Sequence, residues 1–236
     1  MTNTIYTQNE VTLVSEIIWK IHQAKSSDEL RKEILPDIGT LLNADFIASY
    51  VWSPKDSKSK QGYGWNISES ALESHEKKWQ FIDPITPLLR KSQHATCVDN
   101  VISRSALEKS MFYNEFLKPN GMHYGINIYF VNNRVDLGDL RIWRREKSRN
   151  FGNREIALLN ILESHFIQSL QRHVVFDSKL SERERQVVEQ LRLGLSDKEI
   201  ARNLGISFTT VRTHLSRAMV KQGSSNRTEL AIGKKV

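Results

Sequence analysis

The sequence predicts two folds in series: an α/β domain, folded as an α-β-α sandwich around an antiparallel sheet, and then an all-α four-helix unit containing a helix-turn-helix. Three observations lead there. Residues 1–173 alternate long amphipathic helical stretches with short β-branched and aromatic runs, the order of a sheet covered by helices. Beyond residue 177 only helical patterns remain. Three of those helices start in one local code: Ser181-Glu182-Arg183-Glu184, Ser196-Asp197-Lys198-Glu199 and Asn226-Arg227-Thr228-Glu229. In such a capping box the first side chain accepts from the backbone N–H three residues on, while the glutamate reaches back to the cap's own N–H. The chain therefore divides into a first domain over 1–173, a linker over 174–179 and a second domain over 180–236.

In the first domain, Val11, Val14, Ile17, Ile18 and Ile21 make an amphipathic helix. Leu30, Ile34, Leu35, Ile38, Leu41 and Leu42 make a second, opened by Ser26 and Glu29 and bent at Pro36. Phe46–Trp52 and Gln61–Ile67 read as strands, and Ala95–Val101 as an edge. A helix from Ser105 carries Leu107, Met111, Phe112 and Phe116 before Pro119-Asn120-Gly121 breaks it. Tyr124–Asn132 and Gly138–Arg145 form a hairpin, and a long helix over 153–173 follows. Arg134, Arg141, Arg144, Arg145, Lys147 and Arg149 form a basic stretch that reads as a solvated strand or loop face, with contact to DNA phosphates or to an acidic partner as the alternatives.

In the second domain, helices near 182–193, 197–204 and 208–221 turn Val187, Val188, Leu191, Ile200, Ala201, Leu204, Val211, Leu215 and Met219 inward. Gly194 closes the first. Gly205 and Ser207 end the second and start the third, giving the tight turn of a helix-turn-helix. The third helix keeps Thr209, Arg212, Thr213, Ser216 and Arg217 outward, groups able to meet bases or phosphates in a major groove. Charge agrees: residues 177–236 hold 12 Lys/Arg against 7 Asp/Glu, while 1–176 hold 22 against 20. Excess positive charge on a small module suits phosphate neutralisation.

The single cysteine, Cys97, excludes an internal disulfide and a Cys-based zinc site, and reads as a buried thiol. No cofactor or metal is expected. No run approaches the ~20 apolar residues of a membrane span, and MTNTIYTQNE lacks a signal peptide's layout, so a cytoplasmic protein without membrane contact is expected.

Gly194-Leu195-Ser196-Asp197-Lys198-Glu199-Ile200-Ala201, Leu204-Gly205-Ile206-Ser207 and Thr210-Val211-Arg212-Thr213-His214-Leu215 closely resemble the LuxR-type helix-turn-helix, without gaps from Leu180 to about Ala231. The resemblance implies a transcriptional regulator whose partner is double-stranded DNA. It puts Arg212, Thr213 and Ser216 at base-reading positions, with Lys198, Thr210, Lys221 and Arg227 nearer the phosphates. The outward face adds Arg217 to the first set and Thr209 to the second. One short module makes few base contacts, so a homodimer on a two-fold operator is expected, with RNA polymerase a further candidate partner. Gln222-Gly223-Ser224 departs from the family's leucine, glycine and aliphatic residue, which loosens the packing expected before the fourth helix.

Residues 10–173 are similar, less specifically, to the acyl-homoserine-lactone-binding sensor domain that precedes LuxR-type modules in quorum sensing. Aromatics gather ahead of Asp83-Pro84, and the resemblance assigns Tyr50, Tyr63, Trp65, Trp79 and Asp83 to a small-molecule ligand, with Asp83 accepting from a ligand amide. The residues themselves equally allow Asp83 to cap a helix beginning at Pro84. The tryptophan expected soon after Asp-Pro is missing, the next being Trp143, so weak or no response to lactones is expected. A pocket filled by its own aromatics and needing no ligand stays open as the alternative. A response regulator would need an acidic pair near its start, which this chain lacks. His75, His94 and His123 stand outside any hydrolase or phosphate-loop motif, so the chain is not read as an enzyme.

Overall fold

The computed structural model describes residues 6–53, 57–92, 94–132, 135–178 and 180–232, and of 173–178 the backbone alone. The chain falls into two compact units, Arg31–Gln168 with the residues up to His22, and Gln23–Leu30 with Ser169 onward.

The first unit is the expected sandwich. A five-stranded antiparallel sheet in the order β2-β1-β5-β4-β3 comprises β1 (Phe46–Ser53), β2 (Lys58–Trp65), β3 (Thr96–Cys97), β4 (Tyr124–Asn132) and β5 (Val135–Arg144). Helices α1 (Gln8–Gln23), α2 (Ser27–Leu42) and α6 (Asn153–Ser178) cover one face. Phe130 stacks on Phe166 of α6, Trp65 packs on Gly39 of α2, and Lys20 of α1 pairs with Asp37 of α2 at 2.6 Å. The other face carries short pieces: α3 (Glu69–Lys77), a turn at Trp79–Phe81, α4 (Thr86–Leu89), α5 (Arg104–Glu108) and a π-turn at Tyr113–Leu117. Their core joins Trp79, Leu89, Leu107, Phe112 and Phe116 to Phe46 and Trp143 of the sheet.

Strand register assigns the faces. Side chains directly opposite in an antiparallel pair share a face, and neighbours along a strand alternate. Phe46 pairs with Trp143, Ala48 with Arg141, and Arg141 in turn with Asn127, so these line the short-helix side. Ile47 and Ser49 face the long helices, together with their β2 partners Trp65 and Tyr63.

Several expectations are corrected. The edge strand shrinks to Thr96–Cys97, because Val98–Asn100 form a 3-10 turn. The helix expected from Ser105 is broken between Glu108 and Tyr113, where Ser110 donates to the Leu107 carbonyl and accepts the Tyr113 N–H. Val11 is exposed and Ile18 half-buried, so the α1 stripe narrows to Val14, Ile17 and Ile21. α6 stays helical to Ser178 where a linker was expected, and Lys179 lies outside the described residues.

In the second unit, α7 (Glu182–Arg192), α8 (Asp197–Leu204), α9 (Phe208–Gln222) and α10 (Arg227–Ile232) form one core from Leu180, Val187, Val188, Leu191, Ile200 and Val211, closed by Leu215, Ala218 and Leu230. Ala218 is buried and Met219 only partly so, because α9 presents Val211, Leu215, Ala218 and Gln222 inward. The boxes at Ser181 and Ser196 are complete. At the third, Asn226 accepts the Glu229 N–H at 2.9 Å, but the glutamate reaches Ser225 N–H instead of the cap's own. Gly205 sits at φ 63°, and Ile206 N–H returns to the Ala201 carbonyl at 3.0 Å, the left-handed stop expected there.

Candidate functional site

Two sites emerge, one in each unit. In the second, burial of Val211, Leu215 and Ala218 turns the intervening positions of α9 to solvent. Thr209, Arg212, Thr213, Ser216 and Arg217 are exposed and, with Phe208, line one shallow open concavity. Ser207 accepts the Thr210 N–H at 3.0 Å and meets its hydroxyl at 2.8 Å, so Thr210 is absorbed in the cap. Thr213 donates back to the Thr209 carbonyl at 3.0 Å, and the Arg212 guanidinium lies 5.9 Å from the Phe208 ring centroid. The residues assigned to phosphates divide. Lys198 is exposed on α8. Lys221 donates to Glu184 at 2.6 Å, and Arg227 pairs with Asp197 while donating to the Leu195 carbonyl at 2.8 Å. Both are therefore occupied within the module. Burial would raise the Glu184 carboxyl, but donors from Lys221 and Ser181 outweigh it and hold the group at about 2.

The first unit holds a mostly apolar cavity, with a few polar groups, on the short-helix side of the sheet. At its head is Arg141, whose row neighbours are Ala48 and Asn127. The register of β1 against β2 shifts after Ser49, and on the other side of β1 Asp139 of β5 binds the backbone at the same level. Its Oδ1 accepts the Tyr50 N–H at 3.0 Å, and its Oδ2 accepts Arg141 Nε at 3.1 Å and Nη2 at 2.9 Å. Such bulges recur beside functional sites because they re-aim side chains. Arg141 Nη2 also donates to Ser59 at 2.9 Å, and Nη1 to His75 Nε2 at 3.0 Å. A guanidinium has no acceptor, so His75 Nε2 must accept and its proton sits on Nδ1. Burial first, then the Arg141 charge, holds the His75 pKa well below 6.5.

Asp83 caps a short helix and borders the cavity. Its Oδ1 accepts the N–H groups of Ile85 at 2.7 Å and Thr86 at 3.2 Å, and its Oδ2 accepts the Thr86 hydroxyl at 2.6 Å. It also borders the cavity, 3.8 Å from Arg141 Nη1. The helix it serves begins at Thr86, not Pro84, with Pro87 in its first turn. Apolar walls come from Ile67, Ala71 and Leu72 on one side and Phe112, Phe116 and Met122 on the other. Two atoms there lack hydrogen-bond partners, His75 Nδ1 and Asn127 Oδ1, on side chains each 2% exposed. The cavity measures about 30 Å³ as space open to the centre of a water-sized sphere. On that measure a single water needs about 10–15 Å³.

Of the aromatics assigned to a ligand, Tyr50 lines this cavity, its ring 4.7 Å from the Arg141 guanidinium. Tyr63 and Trp65 do not. Their parity on β2 sends them to the α2 side, where Arg31 and Lys32 lie over the Tyr63 ring. Gly62 and Gly64 take the cavity side, and a Cβ on Gly62 would stand 2.6 Å from the Tyr50 ring. Trp79 is buried behind the wall, stacked on Phe116 at 5.8 Å. Arg141 and Asn127 were missed as site residues. The available signal was Asp139-x-Arg141, two charges at alternate positions among Leu137, Leu140, Ile142 and Trp143, which would be costly to bury unless they pair. Arg144 also departs from the solvated reading: it is buried against Glu155 at 3.0 Å, whereas Arg145 and Arg149 are exposed and Arg134 lies outside the described residues. Cys97 is buried, and burial pushes its thiol up to about 11.

Comparison with known proteins bears on both sites. The description "Bacterial regulatory proteins, luxR family" matches residues 178–233. The monoamine regulon transcriptional regulator of Klebsiella aerogenes is 31% identical over 166 residues, 70% of this chain and 73% of that one. The chain belongs to the luxR family of bacterial regulatory proteins. This luxR-family member is a DNA-binding transcriptional regulator and not an enzyme. The regulator is also similar to the transcriptional regulatory protein UhpA of Escherichia coli K12, 52% identical over 52 residues, 22% of this chain and 26% of that one. In fold it matches Escherichia coli SdiA, with TM-score 0.52 and 17% identity over 94% of this chain and 95% of that one. The GAF domain of a Coxiella burnetii phosphotransferase matches with TM-score 0.57 and 15% identity, over 73% and 98%. Among the described residues no helix is long and apolar enough to cross a membrane, and no group of three His, Cys, Asp or Glu could hold a metal.

Proposed function

We propose that this regulator acts in the cytoplasm as a homodimer on a two-fold DNA operator, and that a small molecule in the Arg141 cavity sets when it binds. On this reading residues 1–173 are the sensor and 180–236 the DNA-binding module. Arg212, Thr213, Ser216 and Arg217 read bases, while Lys198 and Thr209 meet phosphates. RNA polymerase is the machine that such a dimer recruits or blocks. The observation that carries the sensor half is a buried pair of partnerless atoms, His75 Nδ1 and Asn127 Oδ1, on two residues that line one cavity. Buried polar atoms are nearly always satisfied, so a ligand or water belongs there. The volume of about 30 Å³ favours a compact ligand over a long acyl chain. It also supports the second reading, a pocket filled by Tyr50, Phe112, Phe116 and water. The Klebsiella relative is named for a monoamine regulon, which places amines among the compounds to screen.

Selection from random-sequence duplexes tests the DNA half. The parent should enrich a two-fold symmetric site. Arg212→Ala should lose roughly 1–3 kcal/mol of specific binding and relax one base pair per half-site. Lys198→Ala should weaken all duplexes alike and flatten the salt dependence. Enrichment of the same site, at the same affinity, by Arg212→Ala would show that α9 does not read bases this way.

A further inference from the structure

Charge around the Arg141 cavity is unbalanced. Arg141 lines the cavity and its single charge serves two carboxylates, Asp139 at 2.9 Å and Asp83 at 3.8 Å. Arg141 commits its donors to Asp139, Ser59 and His75. Arg90 is engaged elsewhere, with Asp136 at 2.5 Å, Asp139 at 3.8 Å and the Trp52 ring centroid at 3.8 Å. Asp83, buried at the cavity, keeps its nearest guanidinium at 3.8 Å, beyond hydrogen-bonding distance. Its bonds come from two backbone N–H groups and one hydroxyl, all neutral. A buried carboxylate in that condition favours a cation.

The partnerless atoms sharpen the demand. Asn127 Nδ2 donates to Tyr129, leaving Oδ1 as a bare acceptor, whereas the neutral His75 offers Nδ1–H as a bare donor. We infer that the cavity takes a small primary amine, its ammonium shared by Asp83 and Asn127 Oδ1 and its compact apolar arm against Phe112 and Phe116. An ammonium carries three donors and no acceptor, and the two acceptors on the wall take two of the three. His75 Nδ1–H then remains to donate to an oxygen on the arm. A carboxylate ligand would meet Asp83 with the Arg141 donors already committed, and a neutral lactone would leave Asp83 and Asp139 sharing the one Arg141 charge. This inference rests on the cavity being a ligand site, as proposed above.

The full chain should be melted and titrated calorimetrically with butylamine, phenethylamine, phenylpropionate and butanoyl-homoserine lactone. At least one amine should raise the melting temperature saturably, and the other two compounds should not. Asp83→Asn is the diagnostic variant, because asparagine still caps the Thr86 turn while removing the charge. Its unliganded melting should stay near the parent's, and its amine affinity should fall by about tenfold or more. Should that variant fold poorly, Asn127→Leu provides a second reading of the same kind, again with about tenfold weaker amine binding. Stabilisation by the carboxylate or lactone but not by an amine would overturn the amine while keeping the ligand site. Amine binding unchanged in both variants would also overturn it. No stabilisation by any of the four, together with unaltered promoter control in Ala71→Leu, whose larger side chain fills the cavity, would remove the ligand site itself.

Discussion

The two units use their charged groups in opposite ways. In the DNA-binding module the structuring polar contacts are mostly local: Ser181 with Glu184, Ser196 with Glu199, and Asn226 with Glu229, each three residues apart. In the sensor they are remote. Arg141 meets His75 across 66 positions, and Ser49 meets Asp139 across 90. A helix terminus can be organised by its own turn, whereas a buried guanidinium needs partners from several elements. The module's working face is thus a by-product of which helix side is buried. The sensor's site exists only once the sheet register is set.

The largest test of that contrast is Arg141→Ala. It strands Asp139 in the sheet and should cost the sensor about 3–5 kcal/mol, the usual penalty for removing one partner of a buried ion pair. All five tryptophans lie within residues 1–173, so their fluorescence follows the sensor, while helical circular dichroism retains the module's signal. In urea the fluorescence transition should move to lower denaturant and the module's should stay. A common shift of both would mean that the units unfold as one.

Next comes Gly62→Ala. The new Cβ would stand 2.6 Å from the Tyr50 ring, so the ring must move, and about 1–3 kcal/mol of sensor stability should go with it. A neutral result in the same urea titration would mean that Tyr50 shifts without consequence for the cavity.

That glycine shows where sequence reading stopped. All four helices of the module, the stop at Gly205 and the outward Arg212 were legible, because caps and helical period are encoded within a few residues. The hairpin of β4 and β5 and the long helix were legible for the same reason. In the sensor's site only Tyr50 and Asp83 were found. Tyr63 and Trp65 lie on the opposite face of β2 from Gly62 and Gly64, and which face meets the cavity follows from a strand register that no local pattern fixes. Arg141 looked like a member of a solvated basic run, since nothing local reports that Asp139 and His75 will enclose it. The short helix α3 went unread because its nine residues carry few apolar groups, Ala71 and Leu72 among them.

Ser196→Ala should act on the module alone, removing the acceptor for the Glu199 N–H and costing about 1 kcal/mol. The fluorescence transition should not move. Acidification separates the units most gently. Burial holds His75 and His123 below 6.5, so the folded sensor takes up these protons less readily than its unfolded chain and loses stability as pH falls below 6.5. Asp136 acts the other way between about 6 and 3.8, offsetting part of that loss. The module's Glu184 contributes stability that is lost only as pH falls from 4.5 to about 2. Fluorescence should therefore respond to acid before the module's helical signal; the reverse order would contradict the contrast.

The central claim is that the buried cavity governs the DNA-reading face. It is tested most directly by measuring the affinity of the full chain for its selected duplex by fluorescence anisotropy, with and without the amine that stabilises it. The affinity should change by about 5–150-fold in either direction, the usual range of coupling between two sites, and Asp83→Asn should lose that change. Identical affinity with the cavity saturated would contradict it.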